Sequence, residues 1–235
     1  MTLKGKFEMT QDARKKATAG FSLLELLIAM TVTLVLLGIA TSVLAAGYRI
    51  RSRENSVTDA VADVQRALNI MCREVANAGF NLNTNGIVAG DSDATHLRIR
   101  SNLNRYDTTA SAASRNGVID PGEDLKYFVN GASNTDYLVR YDANATGNKN
   151  TVLANKLDSL NIHYFAQRVS YSTSGCDISS PSAGEVNPAA AAYVVIAVCV
   201  QIPASGSPNT DGYQPPSTVL LVSDVTLRNA ALNSF

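Results

Sequence analysis

The sequence predicts an α+β protein: a long N-terminal helix, apolar in its membrane half and amphipathic in its stem, packed on a mainly antiparallel β head. Three observations predict it. Gly20 to Gly47 is an apolar run with one charge, Glu25, and no proline. Apolar residues then recur at helical spacing as far as Val75. Beyond Phe80 that spacing gives way to short runs of β character.

The apolar run comes first. From Leu26 to Tyr48 there is no Asp, Glu, Lys or Arg, and a membrane-crossing helix needs about 20 apolar residues. Two readings compete, a cleaved secretory signal and a retained membrane helix. A secretory signal would end its apolar region within about 7–15 residues. Here the run is longer, and the basic block Arg14, Lys15, Lys16 is set back from it by Ala17-Thr18-Ala19-Gly20.

That junction carries a family resemblance. A basic leader, then Gly20-Phe21-Ser22-Leu23-Leu24-Glu25, then an apolar helix resembles the class III signal of type IV prepilins and pseudopilins. The resemblance implies cleavage by a prepilin peptidase between Gly20 and Phe21, N-methylation of Phe21, and a role for Glu25 in assembly. The competing reading is an ordinary signal anchor with a chance glutamate. Physics bears on the choice. A carboxylate within a membrane segment costs about 2.5–3.5 kcal/mol on insertion scales, so a functional partner is expected. The free amine of Phe21 on a neighbouring subunit would serve and would set the axial register between subunits.

Charge orients the segment. The chain has 235 residues, 20 basic and 20 acidic, so no basic excess points to nucleic acid as a partner. The first 20 residues hold Lys4, Lys6, Arg14, Lys15 and Lys16 against Glu8 and Asp12, which favours a cytoplasmic N-terminus. Arg49, Arg51 and Arg53, just past the apolar run, work against that orientation. The prepilin-like junction, and the ability of long domains to translocate largely regardless of charge, favour an exported C-terminal part. The resemblance implies an inner-membrane, single-pass protein whose head lies outside the cytoplasm before it joins a filament at the cell surface.

The stem follows. Val57, Val61, Val64, Leu68, Met71 and Val75 form an apolar stripe, with Arg53, Glu54, Asp59, Asp63, Arg66, Arg73 and Glu74 off it. Asn77-Ala78-Gly79 supplies a stop, with Gly79 suited to a left-handed cap. One helix from Phe21 to about Ala78 would run for about 87 Å at ~1.5 Å per residue. A stripe of this kind requires a head to cover it or, on the competing reading, a coiled-coil partner. The expected division is 1–20 leader, 21–47 membrane or filament-core helix, 48–79 stem, and 80–235 head.

Within the head, strand-like runs fall at His96–Arg100, Leu125–Val129, Tyr137–Tyr141, Leu160–Gln167, Tyr193–Ile202 and Thr218–Leu227. Two stretches rich in Ser, Pro, Gly and Asn, Ser172–Pro188 and Pro203–Ser217, read as loops. The segments Arg73–Phe80 and Leu227-Arg228-Asn229 resemble the stem end and the chain ending of PilW-type minor pilins and J-type pseudopilins.

Candidate sites in the head are few. The cysteines are Cys72, Cys176 and Cys199. An exported head meets an oxidising compartment, and Cys176–Cys199 is the favoured disulfide, the alternative tying Cys72 to the head. His96 and His163 stand alone in strand-like runs and read as structural. The stretch 112–123 aligns with a twelve-residue calcium loop, placing Ser114, Asn116, Asp120 and Glu123 at ligand positions. Ala112 stands where an Asp is normally required. The bland reading is an Asn-Gly turn followed by a Pro-Gly turn. Calcium, with Asn116, Asp120 and Glu123 as ligands, stays open as the candidate cofactor.

No Gly-rich phosphate loop, nucleophile elbow or zinc motif is present, so no enzymatic activity is expected. The resemblance implies a minor pilin that helps initiate or cap a type IV pilus. Its partners would be other minor pilins and the major pilin through the N-terminal helix, the prepilin peptidase, and the inner membrane. Two alternatives remain, a pseudopilin of a type II secretion system and an adhesive or DNA-binding tip subunit.

Overall fold

The computed structural model describes residues 20–104, 118–131, 136–210 and 212–230. The chain divides into two compact units, residues 1–46 and 47–235. Helix α1 spans Leu23–Ala76, 54 residues.

In the first unit the helix is apolar all round, and every described side chain there is exposed except Ala46, which is half-buried. It is long and apolar enough to cross a membrane. Its few hydroxyls are turned inward. Thr31, Thr33, Thr41 and Ser42 donate to carbonyls three or four residues back, so no hydroxyl there needs a partner from outside the helix.

In the second unit the stem of α1 buries Ala60, Val64, Ala67, Leu68, Met71, Val75 and Ala76. The expected stripe is present but shifted. Val57 and Val61 are half-buried, while Ala60 and Ala67 sit in the interface. Alanines there let the backbone approach the sheet closely. Each buried Val, Leu or Met contributes about 1.5–3 kcal/mol, so packing against the head holds the stem more than helix propensity does.

The head is a six-stranded antiparallel sheet in the order β1-β2-β3-β4-β7-β8. Its strands are β1 (His96–Arg100), β2 (Asp124–Gly131), β3 (Asp136–Asp142), β4 (Asn150–Phe165), β7 (Tyr193–Ile202) and β8 (Ser217–Thr226). A hairpin of β5 (Ser172–Ser174) and β6 (Asp177–Ser179) interrupts the meander. One face of the sheet packs on the stem through Leu97, Leu160, Ile162, Val194, Ile196, Val198 and Val200. The other face carries a smaller core of Phe165, Val169, Tyr193 and Val195, with Tyr171 and Ile178 of the interrupting segment against it. Strand β7 is therefore covered on both sides and reads as a nearly unbroken apolar run.

Polar contacts fix the stem on the sheet. Arg140 on β3 holds Glu74 with two hydrogen bonds, 3.1 and 3.0 Å, in a half-buried ion pair. The Cys72 thiol donates to Ser223 on β8 at 3.2 Å. The carbonyls left over at the stem's end are taken by the chain's last described residues. Arg228 N–H donates to Ala76 and the Asn229 amide to Ala78. The two segments that resembled minor-pilin endings are thus brought together as one cap. After the stem, Gly79 and Gly86 have φ +75° and +81°, and a Cβ on Gly86 would lie 1.9 Å from the Gly79 nitrogen. Only glycine allows this crossing, where Gly79 N–H donates to Arg100 and Arg100 N–H to Gly86.

Several expectations need correction. Helix α1 begins two residues later than Phe21 and ends at Ala76, because Asn77 and Ala78 turn toward Gly79. Strand β4 starts at Asn150, ten residues before the expected Leu160, and ends at Phe165. Its first half escapes an alternation test because it is bulged. Lys156 has φ +60° and the register shifts between Leu157 and Ser159, so buried residues fall at Ala154, Leu157 and Leu160 in steps of three. The stretch Ser172–Pro188 is not all loop. Its hairpin is built from polar residues around Gly175 at φ +60°, and a disulfide supplies what its side chains lack in apolar area. The second loop is pinned by a bridge between Ser205 and Gln214.

Candidate functional site

The site with the most specific chemistry lies at the head of α1. Gly20, Phe21 and Ser22 precede the helix without regular structure. Ser22 stands at the cap, its carbonyl accepting from Leu26 N–H at 3.1 Å. Among the described residues no atom lies within 4 Å of where a Cβ on Gly20 would point. Phe21 is 79% exposed, so the Gly20–Phe21 bond is open to a peptidase.

Glu25 lies in the first turn and is exposed. The helix N-terminus favours a negative charge there. Among the described residues no cation lies within ion-pair distance of Glu25. Around it Leu23, Leu24, Leu26, Leu27 and Ile28 present only apolar surface.

The head holds three further groups. Cys176, in the turn of the β5–β6 hairpin, is bonded to Cys199 on β7. The bridge fastens the hairpin to the sheet face opposite the stem. Asp158 lies near both sulfurs, but paired sulfurs do not ligate a metal. Cys72 is free, and burial pushes its thiol pKa up, which keeps it protonated and unreactive.

Of the calcium-loop residues, Asn116 and Ser114 lie outside the described residues. Glu123 is buried at 2% exposure. One of its oxygens accepts from Asn104 N–H at 2.9 Å and the other from Asp120 N–H at 2.8 Å. Those two bonds account for a buried carboxylate without a cation. Asp120 is half-buried, with Oδ2 shielded.

Sequence reasoning missed the surroundings of His163. On β4 it bridges Glu185 through Nδ1 and Asp177 through Nε2, each at 2.7 Å. Burial opposes its protonation, but the two carboxylates outweigh this and raise its pKa above the ordinary 6.5. Asp177 follows Cys176, so ion pair and disulfide fasten the same hairpin. Their partners lie 14 and 22 residues away inside a polar stretch, a spacing that no motif describes. A second cluster joins Arg98 and Arg100 to the buried Asp124, with Asp91 also on Arg98. It braces β1 against β2.

Residues 15–41 match a family described as the prokaryotic N-terminal methylation motif. No curated protein matches the chain, and no solved structure does. The matched stretch contains Gly20, Phe21 and Glu25. A prepilin-type signal followed by an apolar helix suggests membrane anchoring. Together with one long helix packed on an antiparallel sheet, it supports a type IV pilin-like or pseudopilin-like protein.

Proposed function

We propose that this chain is a minor pilin of a type IV pilus, processed by a prepilin peptidase and helping to initiate or cap filament assembly. It acts as a structural subunit and not as an enzyme. The peptidase removes residues 1–20 and leaves Phe21 with a free, then methylated, amine. The head is exported and the helix stays in the inner membrane until it is drawn into the filament. There the Glu25 carboxylate meets the Phe21 amine of a neighbouring subunit, and the exposed apolar faces pack helix on helix. The pairing fixes axial register, which apolar packing alone leaves free.

The observation that carries this reading is Glu25. It is a carboxylate on an apolar helix with no cation beside it among the described residues, four residues after Phe21 in a methylation motif. The minor role is supported by the head. The long Pro- and Ser-rich loop between β7 and β8 suits a subunit present in few copies better than one packed against itself thousands of times.

The test is mass spectrometry of the protein recovered from membranes. The mature chain should begin at methylated Phe21. An intact leader, or a cut beyond Ala40, overturns the processing step. Deleting the gene should reduce surface pili, with this protein far below the main subunit in sheared filaments. A deletion strain with normal pili and a defect only in protein secretion would reassign the chain to a secretion pseudopilin.

A further inference from the structure

Arg49, Arg51 and Arg53 follow the apolar run and oppose the orientation that the N-terminal charges favour. Such a cost in topology calls for a use. Among the described residues no carboxylate lies within ion-pair distance of any of them. Arg49 and Arg51 are exposed. Arg53 is held by neutral acceptors only, Gln214 Oε1 at 3.3 Å, the Pro215 carbonyl and Ser217 Oγ at 3.1 Å. Those bonds fix the guanidinium without neutralising it.

A cleft of about 180 Å³ lies beside Arg53. Its polar lining is Ser52, Arg53, Ser56, Lys156, Gln201 and Ser205, with two cations and no acid. Lys156 comes from the bulge in β4, where its φ of +60° departs from strand geometry. Its ammonium lies 3.5 Å from Ser56 Oγ and is otherwise exposed. Two uncompensated cations, hydroxyls and an amide make a receptor for a phosphate group.

The level of this receptor follows from helix geometry. Arg49 to Arg53 lie about 3–9 Å beyond Gly47 at ~1.5 Å per residue. The headgroup layer on each side of a bilayer is about 5–7 Å deep. Along the helix Arg49 and Arg51 therefore fall within that layer, and Arg53, which lines the cleft, falls just past it.

We infer that Arg49, Arg51 and the Arg53–Lys156 cleft bind the phosphates of anionic phospholipids in the leaflet facing the head. This rests on the proposed membrane orientation for its geometry. The lipids offset the unfavourable charge placement and hold the foot of the head at the membrane surface before extraction.

The test uses the full chain, extracted from membranes in mild detergent and titrated with phosphatidylglycerol or phosphatidylcholine, with retained lipid counted by native mass spectrometry. The parent should retain phosphatidylglycerol in preference. Lys156→Gln and Arg51→Gln should each weaken that retention about fivefold, the effect of one cation near an anionic surface. The Arg49→Gln, Arg51→Gln, Lys156→Gln triple variant should lose roughly a hundredfold. All three positions are exposed, so unchanged melting should accompany the loss. Arg53 is left intact because it also braces the loop. Equal retention of the two lipids, or variants that bind like the parent, overturns the inference. Displacement of the lipid by millimolar inorganic phosphate would also overturn it, by revealing a free-anion site. Failure of the membrane reading looks different, since the chain would then be recovered without detergent.

Discussion

Cys176→Ser measures how much the disulfide adds to the head. The bond joins residues 23 apart in sequence. In the chain-entropy model a closed loop of ~24 residues removes about 11.6 cal/mol/K from the unfolded ensemble, or roughly 3.4 kcal/mol at 25 °C. Little should be added to that by lost packing. Ile178 still rests on the core of Phe165, Val169, Tyr193 and Val195, and His163 still holds Asp177 and Glu185. Cys176 is the residue to change because it is half-buried. Cys199 is fully buried on β7, so Cys199→Ser would add the desolvation of a hydroxyl, about 1–3 kcal/mol. For a unit of this size each kcal/mol shifts Tm by about 2–4 °C, so a fall of roughly 7–13 °C is expected. The full chain in detergent can be melted while tyrosine emission is followed. The sequence has nine tyrosines and no tryptophan, and all but Tyr48 lie beyond residue 100. A reductant added to the parent should reproduce the variant. A loss under ~1 kcal/mol would refute the reasoning, because the 176–199 loop would then be ordered without the bond.

Glu25→Ala should leave insertion and cleavage intact, since it removes a desolvated charge, yet abolish recovery of the protein in sheared filaments; normal recovery would end the pairing argument. Glu74→Ala strands Arg140 half-buried and should destabilise the head by about 2 kcal/mol in urea unfolding, with Glu74→Gln recovering part of the loss. His163 has a folded pKa raised above its ordinary 6.5, so its ion pairs contribute fully below that value and fade as pH rises through the raised one. His163→Gln should therefore destabilise most in acid, with the gap from the parent closing as pH rises through the raised pKa; a gap that widens with pH would contradict the assignment. Chelator should leave the Tm unchanged, since backbone N–H groups already satisfy Glu123, whereas a chelator-dependent fall that Asp120→Ala removes would establish calcium binding.

The parts of the fold legible in the sequence are those where one physical demand acts alone. The apolar half of α1 needs only apolarity and length. The strands β1 and β7 alternate or stay apolar without interruption, and their limits are as read. Where two demands meet, the reading fails. In β4 the bulge at Lys156 turns the period of two into steps of three, so Ala154, Leu157 and Leu160 look like neither strand nor helix. The β5–β6 hairpin has almost no apolar signal, because a covalent bond and an ion pair hold it. In the stem, Ala60 and Ala67 give no signal in the sequence because alanine is ambiguous. They are buried by close backbone approach and not by their own hydrophobicity.

The same logic separates the two kinds of site. Glu25 is legible because a charge in an apolar run is costly wherever its neighbours lie, and the cost is visible in a dozen residues. The groups around His163 and Arg53 carry no such mark. An imidazole among polar residues gives local sequence nothing to register, and the arginines past the apolar run register only as a conflict of orientation. Their meaning comes from partners far along the chain, Glu185 and Asp177 for His163, and Gln214, Ser217 and the Lys156 cleft for Arg53. The one sequence clue was a conflict: three arginines on the side where orientation rules disfavour them. A conflict of that sort shows where a compensating interaction has to lie, and the fold then supplies the geometry, a guanidinium held within two helical turns of the apolar run and a bulge-borne lysine lining the same cleft. The Lys156→Gln variant is the sharpest check of this reasoning. Lys156 lies over a hundred residues from the arginines in sequence, so weaker anionic-lipid retention on its substitution would have no explanation in the local charge of the helix.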